Sequence, residues 1–209
     1  MIHTYGDLKE DHLDILREIG NIGAGNAAAS LSVLINEGVN IVVPQVQILD
    51  YDGVIRTVGD PEELGIAILI NYVGDIRGVV LFLLSYEDAN GIADILTCGF
   101  GEEDEKAGGM SEMKLSTIKE IGNILGSSYL GSISSLTGLG VNISVPYVAV
   151  DMVGAIMGAP MFEFSIDNSK IMLIEESFKT DTKSLKSHVI LFADIPSLNK
   201  ILDKLGLNE

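Results

Sequence analysis

Hydrophobic and polar positions follow two periods along this chain, and the same order of periods occurs twice. Over residues 8–36, and again over 111–137, apolar side chains recur every three to four positions, as in a helix with one buried face. Segments rich in Val and Ile follow at about 39–50 and 141–152, which predicts strands. Further strands are predicted at about 64–72 and 78–85 in the first half, and at about 161–166, 170–178 and 186–193 in the second. A short helix closes each half, at about 86–97 and 195–205. The turn residues Gly74-Asp75, with Gly78 close behind, predict an antiparallel pair around them. Together these elements give an α/β (α+β) fold in which long helices pack on a mostly antiparallel sheet.

The two halves share residues as well as pattern. Glu-Ile-Gly-Asn stands at 18–21 and at 120–123, an offset of 102 that persists. Leu13 matches Leu115, Ile22 matches Ile124, and Gly38-Val39-Asn40-Ile41 matches Gly140-Val141-Asn142-Ile143. Val43-Pro44 matches Val145-Pro146. Residues 1–99 and 110–209 therefore read as two pseudo-symmetric repeats, the product of a duplication. Gly99 to Gly109, acidic and glycine-rich, is the expected seam, and Lys179 to Ser187 a second loose stretch. The repeats are expected to share one sheet or core in a compact domain about a pseudo-two-fold axis.

Charge narrows the partners. Lys and Arg number 13 against 30 Asp and Glu, a formal charge of −17 in 209 residues. Nucleic acid and anionic membrane both require clustered positive charge, so neither is expected. The longest strongly apolar stretch, Val79 to Leu84, is far short of the roughly 20 residues a membrane helix needs. The polar N-terminus does not resemble a signal peptide, and the one cysteine, Cys98, permits no intramolecular disulfide. A soluble cytoplasmic protein is expected.

The candidate chemistry lies on the first helix of each half. At 100° per residue, with Asp14 at 0°, Glu18 falls at about 40° and Asn21 at about −20°. Ile15, Leu16, Ile19 and Ile22 fall between about 80° and 200°, so the polar stripe turns away from the apolar one. Ser116, Glu120 and Asn123 repeat the stripe in the second half. A single Glu-x-x-Asn is ordinarily a solvated helix face. Asn, however, is a mediocre helix residue, and here it recurs mid-helix at the same distance from Glu while flanking segments have diverged. A carboxylate can pair with a Lys or accept a proton. A carboxamide offers donors and an acceptor without charge and can orient an attacking water. The pair suits hydrolysis of a phosphoryl group held by another molecule, because neither stripe has a cationic clamp.

Asp/Ser-x3-Glu-x2-Asn-x22-Pro occurs twice, as Asp14, Glu18, Asn21, Pro44 and as Ser116, Glu120, Asn123, Pro146. This double motif resembles the signature of the CheC family of chemotaxis phosphatases, and the likeness extends to Val150-Asp151-Met152. The resemblance implies a hydrolase, a protein phosphatase that acts on the aspartyl-phosphate of the response regulator CheY. It implies that Asn21 and Asn123 position the attacking water and that Glu18 and Glu120 pair with an active-site Lys of the regulator. Asp14, Pro44, Ser116 and Pro146 would support the motif. No cofactor of its own is implied, since Mg²⁺ is expected on the regulator. Two motifs and an end soon after the second repeat fit CheC better than CheX, with one motif, or FliY, with an added motor-switch domain. The resemblance also offers the receptor deamidase CheD as a second partner, with Asp151 as its contact. A binding module that sequesters CheY-phosphate or CheD without turnover is the alternative reading.

Other patterns carry less. Gly23-Ala24-Gly25-Asn26-Ala27-Ala28 matches a dinucleotide-binding pattern, but it follows a helical pattern where a true fingerprint follows a strand. Close helix packing accounts for it better. His3, His12 and His188 lack metal spacing, and no metal site is expected. Asp14 with Glu18 could ligate Mg²⁺, but Ser116 breaks that pair in the second copy. Met152, Met157 and Met161 are expected in the core or at a strand edge.

Overall fold

The computed structural model describes residues 1–97, 110–163, 171–180 and 184–207. The element order is α1 (Glu10–Ile35), β1 (Val39–Leu49), α2 (Tyr51–Val58), β2 (Leu64–Gly74), β3 (Gly78–Ser85) and α3 (Tyr86–Thr97) in the first half. The second half runs α4 (Glu112–Thr137), β4 (Val141–Ile143), β5 (Tyr147–Met152), α5 (Val153–Glu163), β6 (Ile171–Thr180), β7 (Ser184–Ala193) and α6 (Ile195–Lys204). The strands form one seven-stranded antiparallel sheet, in the order β1-β6-β7-β3-β2, with β4 and β5 sharing the outer edge of β2.

That order reads the same from either end once the repeats are exchanged. The offset of 102 places β1 opposite β4 and β5 taken together. The β2–β3 hairpin then corresponds to β6–β7, and the two hairpins meet at β3–β7. Each repeat's first strand crosses over: β1 pairs with β6, and β5 with β2.

The central strands are apolar on both faces because both faces are covered. Toward one side, Ile66, Ile68, Ile70, Tyr72, Val80, Phe82, Val189 and Leu191 pack against α1, α3, α4 and α6. Toward the other, Ala67, Leu81, Leu83, Leu173 and Ile190 pack with Val54 of α2 and Val153, Ile156 and Met157 of α5. The two long helices also touch each other. A Cβ on Gly23 would lie 3.0 Å from Tyr129 Cα, so α1 and α4 approach as closely as they do only because position 23 has no side chain. Ala24, Ala27 and Ala28 are buried beside it. The small-residue run is thus a packing surface. Lys114, buried at the start of α4, pairs with Asp94 (2.6 Å) and donates to Asn90 Oδ1 (3.0 Å), fastening α4 to α3. Gly74 closes the β2–β3 turn at φ 139°, where its missing Cβ leaves room for the Gly140 carbonyl.

Four expectations change. The strand expected over 141–152 is broken at 144–146, where Pro146 supplies no backbone N–H and Ser144 bonds Asn71 of β2 instead (2.8 and 3.0 Å). The strand expected at 161–166 is wrong over 161–163, which end α5; 164–166 lie outside the described residues. Two short helices, α2 and α5, were not expected. Asp50 caps α2 by accepting from Gly53 N at 2.8 Å, while α5 is apolar and glycine-bearing and shows no helical period. In the loose stretch 179–187, residues 179–180 and 184–187 are strand, with Lys179 paired to Ser184, and 181–183 lie outside the described residues. The expected seam, 99–109, and Cys98 lie outside the described residues.

One buried acid gives this fold a pH dependence. Glu176 on β6 lines a cavity of about 20 Å³ with Ile68, Phe82, Leu84, Ile92, Ile118, Ile121, Leu125 and Ser187. Ser187 Oγ donates to its Oε2 at 3.0 Å, and its Oε1 has no partner among the described residues. Burial pushes its carboxyl up to about 8, and the Ser187 hydrogen bond offsets only part of this. The folded state therefore holds the proton more tightly than the unfolded chain does. Its contribution to stability is complete below the ordinary value of 4.5 and is lost as pH rises through about 8. Urea denaturation from pH 5 to pH 9 should show this loss in the wild type, and Glu176→Gln should flatten it. A Gln variant with an unchanged pH slope would assign the loss to other groups.

Candidate functional site

Helix α1 buries Leu16 and Ile19 and leaves Asp14 and Glu18 exposed on its opposite side, with Asn21 half-buried at the edge. Asp14 is engaged by Arg17 one turn on, Nη2 to Oδ1 at 2.9 Å, on the surface. Asn21 reaches down to the sheet, where its Oδ1 accepts the backbone N–H of Val43 at 3.3 Å. An N–H can only donate, so this contact fixes which end of the carboxamide faces the strand. The strand is irregular at that point. Val42 pairs with Ser177 and Gln45 with Glu175, so the register shifts between them, where Val43 and Pro44 lie. Val43 itself is buried, under Gly20 of α1.

The second stripe has the same helical geometry and a different seat. Ser116, Glu120 and Asn123 are exposed, and Ile118 and Ile121 are buried on the opposite side of α4. Gly122, the counterpart of Gly20, lies over Ile68 of β2 and not over its own repeat's first strand. Val145, the counterpart of Val43, is 85% exposed, in the break between β4 and β5. The Asn123 carboxamide has no hydrogen bond to any described residue. Pro146 is buried.

The structure thus ties Asn21 to Val43 by a hydrogen bond and shows no such bond between Asn123 and Val145. The sequence reading missed this hydrogen bond. The only sign of it was the proline 23 positions after Asn21, which marks a strand that cannot keep its ladder. Asp151 lies on neither stripe. It is exposed on β5, opposite Gly65, and its Oδ1 accepts from Met152 N at 2.8 Å. His12 is used structurally, its ring bonding Lys9 N (3.2 Å) and Leu207 O (3.3 Å).

Comparison with known proteins fits this arrangement. The CheC-like family profile matches residues 12–48 and 113–149, each match running from the long helix into the following strand. The CheY-P phosphatase CheC of Bacillus subtilis (strain 168) is 31% identical over 204 residues, which cover 97% of both chains. The chain belongs to the CheC-like family. This CheC-like chain also superposes on the crystal structure of Thermotoga maritima FliY with a TM-score of 0.76 and 25% identity, covering 97% of this chain and 100% of that one. The FliM middle domain from H. pylori shares the fold at a TM-score of 0.65 and 14% identity, covering 94% and 99%. No described helix of the CheC-like chain is long and apolar enough to cross a membrane.

The unequal seats have a thermodynamic consequence. Removing the Asn21 side chain leaves the Val43 N–H without its acceptor, at a cost of about 0.5–1.5 kcal/mol. Removing Asn123 breaks no hydrogen bond and replaces Asn by a better helix former. In urea denaturation, Asn21→Ala should therefore lose about 1 kcal/mol more stability than Asn123→Ala. Equal losses would mean the Val43 contact is not maintained in solution.

Proposed function

We propose that this protein hydrolyses the aspartyl-phosphate of a CheY-type response regulator, with one reaction centre on each stripe. The observation that carries the reading is the repeated, outward-facing pairing of a carboxylate with a neutral carboxamide: Glu18 with Asn21 and Glu120 with Asn123. The name of the Bacillus subtilis relative, a CheY-P phosphatase, supports the same substrate.

In this reading each Asn enters the regulator's site and holds a water in line with the bond between phosphorus and the aspartyl oxygen. The water oxygen bonds to phosphorus, the P–O bond to the aspartate breaks, and the electron pair leaves on the carboxylate. One proton of the water stays on the new phosphate, the other passes to solvent, and inorganic phosphate is released. The regulator's own Mg²⁺ and Lys offset the phosphoryl charge. Each Glu pairs with that Lys and so docks the helix. A neutral amide suits the role, because a carboxylate at position 21 or 123 would repel the phosphoryl oxygens. A cation there has no acceptor for the water's O–H and so could not orient the water through it.

Phosphate release from phosphorylated regulator measures the proposal directly. Asn21→Ala with Asn123→Ala should lower the rate by on the order of 10²-fold or more, while each single variant retains part of the activity. A folded double variant at wild-type rate would sink the reading, and one single variant as inactive as the pair would leave one working site.

Glu18→Lys with Glu120→Lys should weaken regulator binding more than the corresponding Gln pair, because reversal adds repulsion where Gln only removes attraction. Titration of labelled regulator checks this, and equal affinity for wild type and the Lys variant would remove the glutamates from the interface.

A further inference from the structure

We propose that the backbone N–H of Val43 is a positioning group for Asn21, and that the second site works without a counterpart. The proposal rests on the reading that Asn21 and Asn123 orient water, and it separates the two centres by mechanism.

The carboxamide oxygen of Asn21 accepts from Val43 N at 3.3 Å. One lone pair of that oxygen is used and the second is left, as are both N–H groups. The amide is held at one end while its reactive end faces outward, and the rotamer is set before any partner arrives. The donor is supplied where the β1–β6 register shifts, beside Pro44, which has no N–H of its own. Gly20 of α1 lies over the Val43 side chain.

The motif proline and the interrupted strand recur in the second repeat, but the hydrogen bond and the buried valine do not. Val145 is 85% exposed, so its N–H is not carried under α4 by a buried side chain. Gly122 contacts Ile68 instead, so at this turn α4 rests on β2. Asn123 is free among the described residues and takes up its reactive rotamer only against the regulator. The first centre is preordered and the second is ordered by its substrate. Positioning a group in advance raises the rate of the chemical step and leaves the docking contacts unchanged.

The test exchanges Val43 for its α-hydroxy analogue in the full chain. This turns one amide into an ester, deletes only the N–H, and keeps the side chain and Pro44. In an Asn123→Ala background the exchange should lower kcat about fivefold, the net worth of one hydrogen bond, with KM unchanged. The same exchange at Val145, in an Asn21→Ala background, should leave both constants unchanged. Side-chain amide relaxation by NMR supplies a readout independent of activity: Asn21 restricted and Asn123 mobile in the wild type, with Asn21 released by the ester at position 43. Equal mobility of the two amides in the wild type, equal effects of the two esters, or a change confined to KM would overturn the proposal. A wild-type protein that releases no phosphate but shows the relaxation difference would sink the phosphatase reading and leave the clamp standing.

Discussion

Each repeat's first strand is held by the other repeat's hairpin. β1 runs along β6 from Val39 opposite Thr180 to Leu49 opposite Ile171, and β5 runs along β2 from Tyr147 opposite Leu69 to Met152 opposite Leu64. Among the described residues, neither β1 nor β5 pairs with a strand of its own repeat. The chain start follows the same rule. Tyr5 Oη donates to Ala193 O at 2.7 Å and accepts from Ala193 N at 3.0 Å, and Ile2 exchanges two hydrogen bonds with Asn199 at 2.8 and 2.7 Å. The first stripe therefore sits on a helix whose underlying strand is fixed by the second half. Its carboxamide clamp depends on a register shift against β6, some 130 residues away in sequence.

This explains which features the sequence made legible. Repetition at a fixed offset and the period of long amphipathic helices are properties of neighbouring residues, so the duplication, α1, α4 and the outward direction of both stripes could be read directly. The exchange of edge strands is a long-range pairing choice, and periodicity carries no record of the partner. The short helices fail for a different reason. α2 is amphipathic, with Asp52 and Arg56 exposed and Gly53 and Val54 buried, but its eight residues are too few to establish a period, and α5 is apolar in every turn. Their burial against the far side of the sheet, through Val54, Ile156 and Met157, overrides weak local preference.

The difference between the two stripes was invisible for the same reason. Glu and Asn keep their spacing, because three residues on a helix share a face whatever the helix rests on. What changed is the seat: α1 lies over its own repeat's strand at Val43, and α4 lies over the other repeat's strand at Ile68. Both strands interrupt their ladders at the motif proline. In one copy the interruption turns a buried valine under the helix, and in the other it turns the equivalent valine into solvent.

Position 14 appears at first to set the copies apart by charge, since Asp14 stands where the second copy has Ser116. The structure leaves that one-unit difference in place but sets it at the exposed surface. Asp14 spends its charge on Arg17 at 2.9 Å, an exposed pair of small worth. Lys119, the counterpart of Arg17, faces no carboxylate at the Ser116 position. The local charge of the two stripes thus differs by about one unit and is screened within a Debye length. With −17 on the whole chain, long-range attraction of a phosphorylated partner is weak in either case. Discrimination between the sites then falls to short-range order around the carboxamide, a neutral group whose usefulness depends on where it points. A backbone N–H is well suited to set that direction. It adds no charge near the phosphoryl group and is not ionised at any pH the fold survives, and no side-chain substitution other than proline removes it.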